Sequence, residues 1–235
     1  MEEYPNFNIV GEEWSPDPAV LAKWQKGNNI PVDFESCLPS LMDFPIQIAL
    51  AESFKEPESW NKGFIKVYEK LASDYLYPDP MNLVIFPDNH DMDRFYKQVN
   101  NDFDLFKMGI AYFMTMRGIP QIQYGTELLM SNEKPHDHGQ IREDFPGGWP
   151  GDKTNAFTGE NLDPKKAEAQ NFMKKLMNWR KNNKIIHNGN LMQFAPTKDG
   201  TYTYFRYNEK DAVMVTFNKK DKPVKIESGR YKERT

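Results

Sequence analysis

Asn82-Leu83-Val84-Ile85-Phe86-Pro87-Asp88-Asn89-His90-Asp91 is the stretch on which the fold turns. Leu83–Phe86 is an unbroken apolar run, which suits a strand buried on both faces better than one with a wet side. Pro87 closes it, and two acids, an amide and a histidine follow at its C-terminal end. A parallel strand that ends in reactive side chains has this order.

Working outward, helical patterns flank the run. On the N-terminal side Phe64, Ile65, Tyr68, Leu71, Ala72 and Tyr75 recur at spacings of three and four, the stripe of an amphipathic helix, ended by Pro78 and Pro80. On the C-terminal side Asp102 or Asp104 offers a cap for a helix containing Leu105, Met108, Ile110, Ala111, Phe113 and Met114, stopped by Gly118. Pro120–Tyr124 then suggests another strand, closed by Gly125. Earlier still, Phe7–Val10 and Ser40–Phe44 are candidate strands, and Asp17-Pro18 caps a helix that Gly27 ends. Ser131–Asn161 is rich in Gly, Pro, Asp and Asn and has no period, as a long functional loop would. Asp163-Pro164 opens a further helix with the stripe Ala169, Phe172, Met173, Leu176 and Trp179. Beyond Leu191 the period becomes two, with Thr201–Tyr207 and Asp211–Phe217 joined by the turn Asn208-Glu209-Lys210.

Four β-α units in succession imply an α/β fold with a parallel sheet and helices outside it. Four is half of an eight-fold (β/α)8 TIM barrel, which takes about 250 residues when whole. The expected organisation is a half barrel over 1–186, followed over 187–235 by the start of an antiparallel all-β C-terminal domain, a β-sandwich.

Composition narrows the function. The chain has 235 residues, with 30 Lys+Arg against 34 Asp+Glu and a formal charge of −4. That charge lacks the basic field of a nucleic-acid binder. An apolar fraction of 39% with 14% aromatics supplies a core and argues against disorder. No run approaches the roughly 18 apolar residues of a membrane span. The single cysteine, Cys37, excludes a disulfide scaffold and is expected to be a buried, inert thiol. Met1-Glu2-Glu3-Tyr4-Pro5 has neither the basic nor the apolar region of a secretion signal.

The acids fall where a barrel keeps its chemistry. Glu12-Glu13 follow the first strand, Asp43 ends the second, Asp88 and Asp91 follow the third and Glu127 the fourth. With Trp14, Tyr124 and Trp149 they suggest a sugar-handling cleft, in which aromatic faces cover the C–H side of a pyranose and carboxylates take its hydroxyls. The plainer alternative is that such acids only cap loops and helices.

Three motifs in order resemble the α-amylase superfamily (glycoside hydrolase family 13). Asn6-Phe7-Asn8-Ile9-Val10-Gly11-Glu12-Glu13-Trp14 is similar to its fifth-strand motif, and Asn82–Asp91 to its seventh, ending in Asn-His-Asp. Gly118-Ile119-Pro120 with Tyr124-Gly125-Thr126-Glu127 is similar to its eighth. Ile141-Arg142-Glu143-Asp144-Phe145-Pro146-Gly147-Gly148-Trp149 resembles most the neopullulanase and cyclomaltodextrinase-like branch. The resemblance implies retaining hydrolysis of α-glucosidic bonds in starch-derived oligosaccharides, and strands 5–8 of the barrel. It makes Glu12 the general acid/base, with Glu13 the competitor one residue on, and Asp91 the carboxylate that grips the sugar hydroxyls and favours the oxocarbenium-like ring. His90 would donate to the same sugar, with Asn89 beside it. Trp14 would line the cleft unless it packs in the core, and Arg94 would bind there by pairing with a carboxylate unless it is an ordinary surface ion pair.

A retaining enzyme needs a second carboxylate as nucleophile. The family carries it in Gly-x-Arg-x-Asp, which does not occur in these 235 residues. By the resemblance the chain starts just before the fifth strand and ends inside the C-terminal domain, so it is expected to be inactive alone and poorly behaved in solution. No cofactor is required; calcium, common in the superfamily, is not assignable, because its ligands come partly from the other half of the barrel. The partner is an α-glucan oligosaccharide, with no nucleic acid and no membrane. The branch leans toward a bacterial periplasm or cytoplasm. Two rivals stand beside this: a catalytically inactive α-amylase-like protein that binds carbohydrate or a partner, and a metal enzyme built on His136-Asp137-His138, for which further ligands are lacking.

Overall fold

The computed structural model describes residues 3–4, 7–31, 33–227 and 229–231. Asn6 of the first motif, and Met1, Glu2 and Pro5 of the leader reading, lie outside them. The chain divides into two compact units. Unit 1 is Met1–Ile85, Thr115–Ile119 and Asn183–Thr235; unit 2 is Phe86–Met114 and Pro120–Asn182.

In unit 1, β1 (Val10–Gly11) pairs in parallel with β2 (Ser40–Leu41). Met42 bridges Val84 in parallel, which carries the pairing on to β3 (Val84–Ile85). Beside β3 lies β4 (Ile119–Pro120), where the Ile119 amide donates to the Leu83 carbonyl at 2.8 Å. Leu83 to Phe86 are all buried, as the apolar run required. The other strands are shorter than expected. Pairing at the first begins only at Val10. At the fourth it stops at Pro120 rather than reaching Tyr124, since proline has no amide to continue a ladder.

Gly118 holds φ +98°, and a Cβ there would sit 2.7 Å from the Leu83 carbonyl oxygen. That close approach of two backbones is why the turn into β4 needs glycine. Gly118→Ala should therefore lose about 1–3 kcal/mol in urea denaturation; an unchanged midpoint would show that β3 and β4 part freely.

Helix α1 (Pro18–Ala22) starts as the sequence predicts, with the Asp17 carboxylate accepting from the Ala19 amide at 2.9 Å. The strand expected over Ser40–Phe44 is present as β2 and the Met42 bridge, but helix α2 (Phe44–Lys55) takes its last residue. Asp43 accepts from the Ile46 amide at 3.2 Å as its N-cap and Pro45 fits the first turn, so Phe44 begins a helix. In α3 (Ile65–Ala72) the buried residues are Val67 and Leu71, with Phe64 just before it; Tyr75 lies beyond its end and is exposed. Arg117, between α5 and β4, is fully buried. It donates to Asp43 at 2.7 Å and with two nitrogens to Asp74 at 2.7 and 2.5 Å. Burial lifts the Asp43 carboxyl above its usual range against the pull of Arg117. Burial lowers the Arg117 pKa, but Asp74 and Asp43 outweigh it and raise it overall. Cys37 is exposed, contrary to expectation. The buried position belongs to Ser36, whose hydroxyl donates to the Trp24 carbonyl.

Unit 2 contains α4 (Phe95–Gln98) and most of α5 (Phe103–Thr115), which Asp102 caps by accepting from the Asp104 and Leu105 amides at 2.9 Å. Within the long loop lies one short helix, α6 (His138–Ile141). Asp163 caps α7 (Pro164–Asn182), whose buried residues are Ala169 and Met173; Trp179, at the end of the expected stripe, is exposed.

The chain then returns to unit 1 through α8 (Lys184–Asn188) and an antiparallel meander of β5 (Asn190–Phe194), β6 (Thr201–Tyr207) and β7 (Ala212–Asn218). The central strand is buried on both faces rather than alternately wet. From one face Tyr202 stacks on Phe64 at 5.7 Å, and Arg206 donates to the Thr115 and Gly189 carbonyls at 3.1 and 2.7 Å. Over the other face Tyr231 reaches Phe205 at 5.7 Å and donates to Thr203 at 3.1 Å.

Candidate active site

In unit 1 the first candidate group stands at the end of β1. A Cβ on Gly11 would come within 2.7 Å of Leu38 and 2.8 Å of Leu41, so the residue before the acid is small because side chains from the next segment close over it. Glu12 follows directly and is exposed; Glu13 is half-buried. The Trp14 ring packs on Phe44 with centroids 4.4 Å apart, yet 47% of the residue is exposed, so it joins core and surface. Asp43, at the end of β2, is buried and spent on its cap and on Arg117.

In unit 2 the Asn-His-Asp segment turns around a buried ion pair. Asp88 accepts from the Phe95 amide at 2.7 Å and the Thr126 hydroxyl at 3.1 Å, and pairs with Arg94 Nε at 3.2 Å. Arg94 also donates to the carbonyls of Tyr124 at 2.6 Å and Ile141 at 3.2 Å. Burial raises the Asp88 pKa, with Arg94 opposing. Arg94 does pair with a carboxylate, but that of Asp88, and the pair is nowhere near the surface: its side chain is 0% exposed. It thus offers no atom to a sugar, which corrects its expected place among the substrate-binding residues. It anchors the loop instead.

Asn89 is buried, and its side-chain Oδ1 accepts from the Asp91 amide at 2.8 Å, fixing the turn that presents Asp91. The Asp91 carboxylate is partly open to solvent and lies 3.2 Å from His90 Nε2. Two partners escaped the sequence reading. Arg142 donates through Nη2 to Asp91 and through Nε to the His90 carbonyl at 2.9 Å, while His138 Nδ1 stands 3.2 Å from Arg142 and 3.9 Å from Asp91. Asp137 caps α6, and His136 lies 4.0 Å from Asp93 rather than beside His138. The His-Asp-His sequence therefore sends its side chains to different partners. Among the described residues no group of three or more His, Cys, Asp or Glu could hold a metal ion, and no helix is long and apolar enough to cross a membrane. The Tyr124 hydroxyl donates to the Glu143 carbonyl at 3.0 Å; Trp149 is exposed, and Glu127 is half-buried on the 3-10 turn Thr126–Leu128.

A Gly-Glu strand end thus stands in one unit and a braced Asn-His-Asp in the other. Residues 1–184 match the family model described as alpha amylase, catalytic domain. The chain belongs to the α-amylase family. Residues 191–235 match the model described as the cyclo-malto-dextrinase C-terminal domain. Among curated relatives of this α-amylase family member, the cyclomaltodextrin glucanotransferase of Thermoanaerobacterium thermosulfurigenes is 29% identical over 181 residues, 77% of this chain and 22% of that enzyme. The chain thus spans less than a quarter of that relative's length. Among solved structures, the α-amylase of Anoxybacillus superposes with a TM-score of 0.72 at 21% identity, over 94% of this chain and 43% of the other. The α-amylase of Geobacillus thermoleovorans, complexed with acarbose, gives 0.69 at 22%, over 91% and 42%. These likenesses show that the chain shares part of the fold of the TIM-barrel amylases and their C-terminal domain.

Proposed function

We propose that this chain supplies strands 5–8 of an α-amylase-family barrel, residues 1–186, and the start of its β-sandwich, residues 187–235. In that barrel it contributes to retaining hydrolysis of α-glucosidic bonds in starch-derived oligosaccharides. Glu12 is the general acid/base: it protonates the glycosidic oxygen and then takes a proton from water. Asp91 grips the sugar hydroxyls and stabilises the oxocarbenium-like ring. His90 and Asn89 work beside it, His90 as donor to the sugar and Asn89 as the residue that sets the Asp91 backbone. Trp14 borders the acid. The observation that carries this reading is the braced Asp91 carboxylate, held by His90 and Arg142 over a buried Asp88–Arg94 pair yet open to solvent. A carboxylate that merely capped a loop would spend its oxygens on backbone amides. The acarbose complex of the Geobacillus thermoleovorans enzyme supports a glucan-like ligand.

The nucleophile in Gly-x-Arg-x-Asp is not among these 235 residues, so in this reading it comes from elsewhere, and the chain alone releases no sugar from maltoheptaose. The test is to read the DNA in frame upstream of Met1. An open frame encoding Gly-x-Arg-x-Asp is expected. A stop codon and ribosome-binding site directly upstream would overturn the catalytic reading in favour of a non-catalytic carbohydrate-binding protein.

A further inference from the structure

The motif Asp144-Phe145-Pro146-Gly147-Gly148-Trp149 has no part in the chemistry above, yet it builds one wall of a cavity. This hollow of about 340 Å³, wholly within unit 2, is bounded by Asp144–Pro146, Asp152–Thr154, Asn161–Asp163 and Lys166. Its size lies at the lower end of the range for small-molecule sites.

The loop around it is fixed in advance. Asp152 Oδ2 accepts from the Gly147 amide at 2.8 Å and the Trp149 amide at 3.1 Å, and Ala156 donates to the Pro146 carbonyl at 3.1 Å. Gly147 has φ +95°, and a Cβ there would come within 2.7 Å of Asn155. Asn161 donates to the Lys153 carbonyl at 2.8 Å. Such a frame spends no binding energy on ordering itself.

What the frame presents is polar but nearly neutral. Asp144, Lys153, Thr154 and Lys166 line the cavity, and their side chains make no hydrogen bond among the described residues. Asp152 and Asp163 are occupied with backbone amides. One free carboxylate, a hydroxyl and two ammonium groups suit a ligand whose groups both donate and accept, rather than an anion or a cation. The wall residue Phe145 packs at a tilt of 49° on Phe157, centroids 4.9 Å apart, and Phe157 and Trp149 are 73% and 63% exposed on this ordered loop. An aromatic wall residue in the cavity, with further exposed rings on the same loop and unspent polar groups in the lining, matches the two-sided surface of a sugar.

We infer that this cavity is a saccharide subsite, separate from Asp91, that takes a glucosyl unit of an α-glucan. The α-glucan class rests on the function proposed above; the site rests on the cavity. The test is a titration of the purified chain with maltoheptaose, and in parallel with cellohexaose, followed through its backbone amide NMR signals. Saturable maltoheptaose shifts in residues 144–166, weakened about tenfold or more in both Asp144→Asn and Thr154→Val, support the inference; Glu12→Gln should leave them unchanged. Maltoheptaose binding that both variants retain overturns the subsite while sparing the α-glucan reading. Pocket-dependent binding of cellohexaose alone overturns the ligand class, and with it the α-glucan reading, while leaving a site. Absence of binding by either sugar overturns the inference outright. Both substitutions are near-isosteric, and Lys153→Met, on an exposed residue, repeats the test should either fail to fold.

Discussion

Arg117→Ala is expected to destabilise the chain by about 3–5 kcal/mol, the cost of stranding a buried charge. Arg117 joins Asp43, which caps α2 and is 1% exposed, to Asp74 on the 3-10 turn after α3. Without the guanidinium, Asp43 remains in a place where water cannot replace the lost partner. The deficit should depend on pH. Burial already raises the Asp43 pKa in the folded chain, and removing Arg117 takes away the main influence that lowers it. A carboxyl whose folded pKa exceeds its unfolded value binds more protons when native, so stability rises as pH falls through the folded pKa towards the unfolded one. The variant should thus lose less at pH 5 than at pH 8, measured by urea denaturation. Arg117→Met with Asp43→Asn, which removes both charges of the fully buried pair and leaves only the partly exposed Asp74, should be milder than the two single losses added together. A deficit below about 1 kcal/mol, or one independent of pH, would mean that the pair is dispensable.

The elements legible in the sequence are those whose signals are local. Asp17, Asp102 and Asp163 cap the helices expected of them, because a capping side chain bonds amides two or three residues on. The Leu83–Phe86 run announced a strand covered on both sides, and the meander after Leu191 announced its pairing through period and turn. Helix α2 escaped for the opposite reason. Phe44, Ile46, Ala49, Leu50, Ala51 and Phe54 are buried around nearly its whole circumference, so it has no polar face to set a period.

The site was half legible. The backbone order Asn89-His90-Asp91 carries its own turn, but the side chains that brace Asp91 come from 47 and 51 positions away. No spacing rule connects Asp91 to Arg142 or His138 across an aperiodic loop. Arg94 illustrates the same limit: three residues from Asp91 in sequence, it spends its guanidinium on Asp88 and on carbonyls 30 and 47 positions on.

Glu12→Gln tests the proposed chemistry most directly, in a protein that joins this chain to the segment bearing the nucleophile. Loss of a general acid should lower kcat for maltoheptaose by about 10²–10⁴-fold. The loss should depend on the leaving group. An α-glucosyl fluoride departs without protonation, so its first step should be nearly spared, while water attack on the glycosyl-enzyme stays slow for want of the base. Added azide, which needs no deprotonation, should then restore turnover and yield a glucosyl azide. Glu13→Gln separates the two neighbouring candidates. Its half-buried side chain can affect stability, but it should show neither the leaving-group dependence nor the azide rescue. If both signatures follow Glu13 instead, the acid sits one residue further along; if neither variant shows them, this strand end delivers no acid at all.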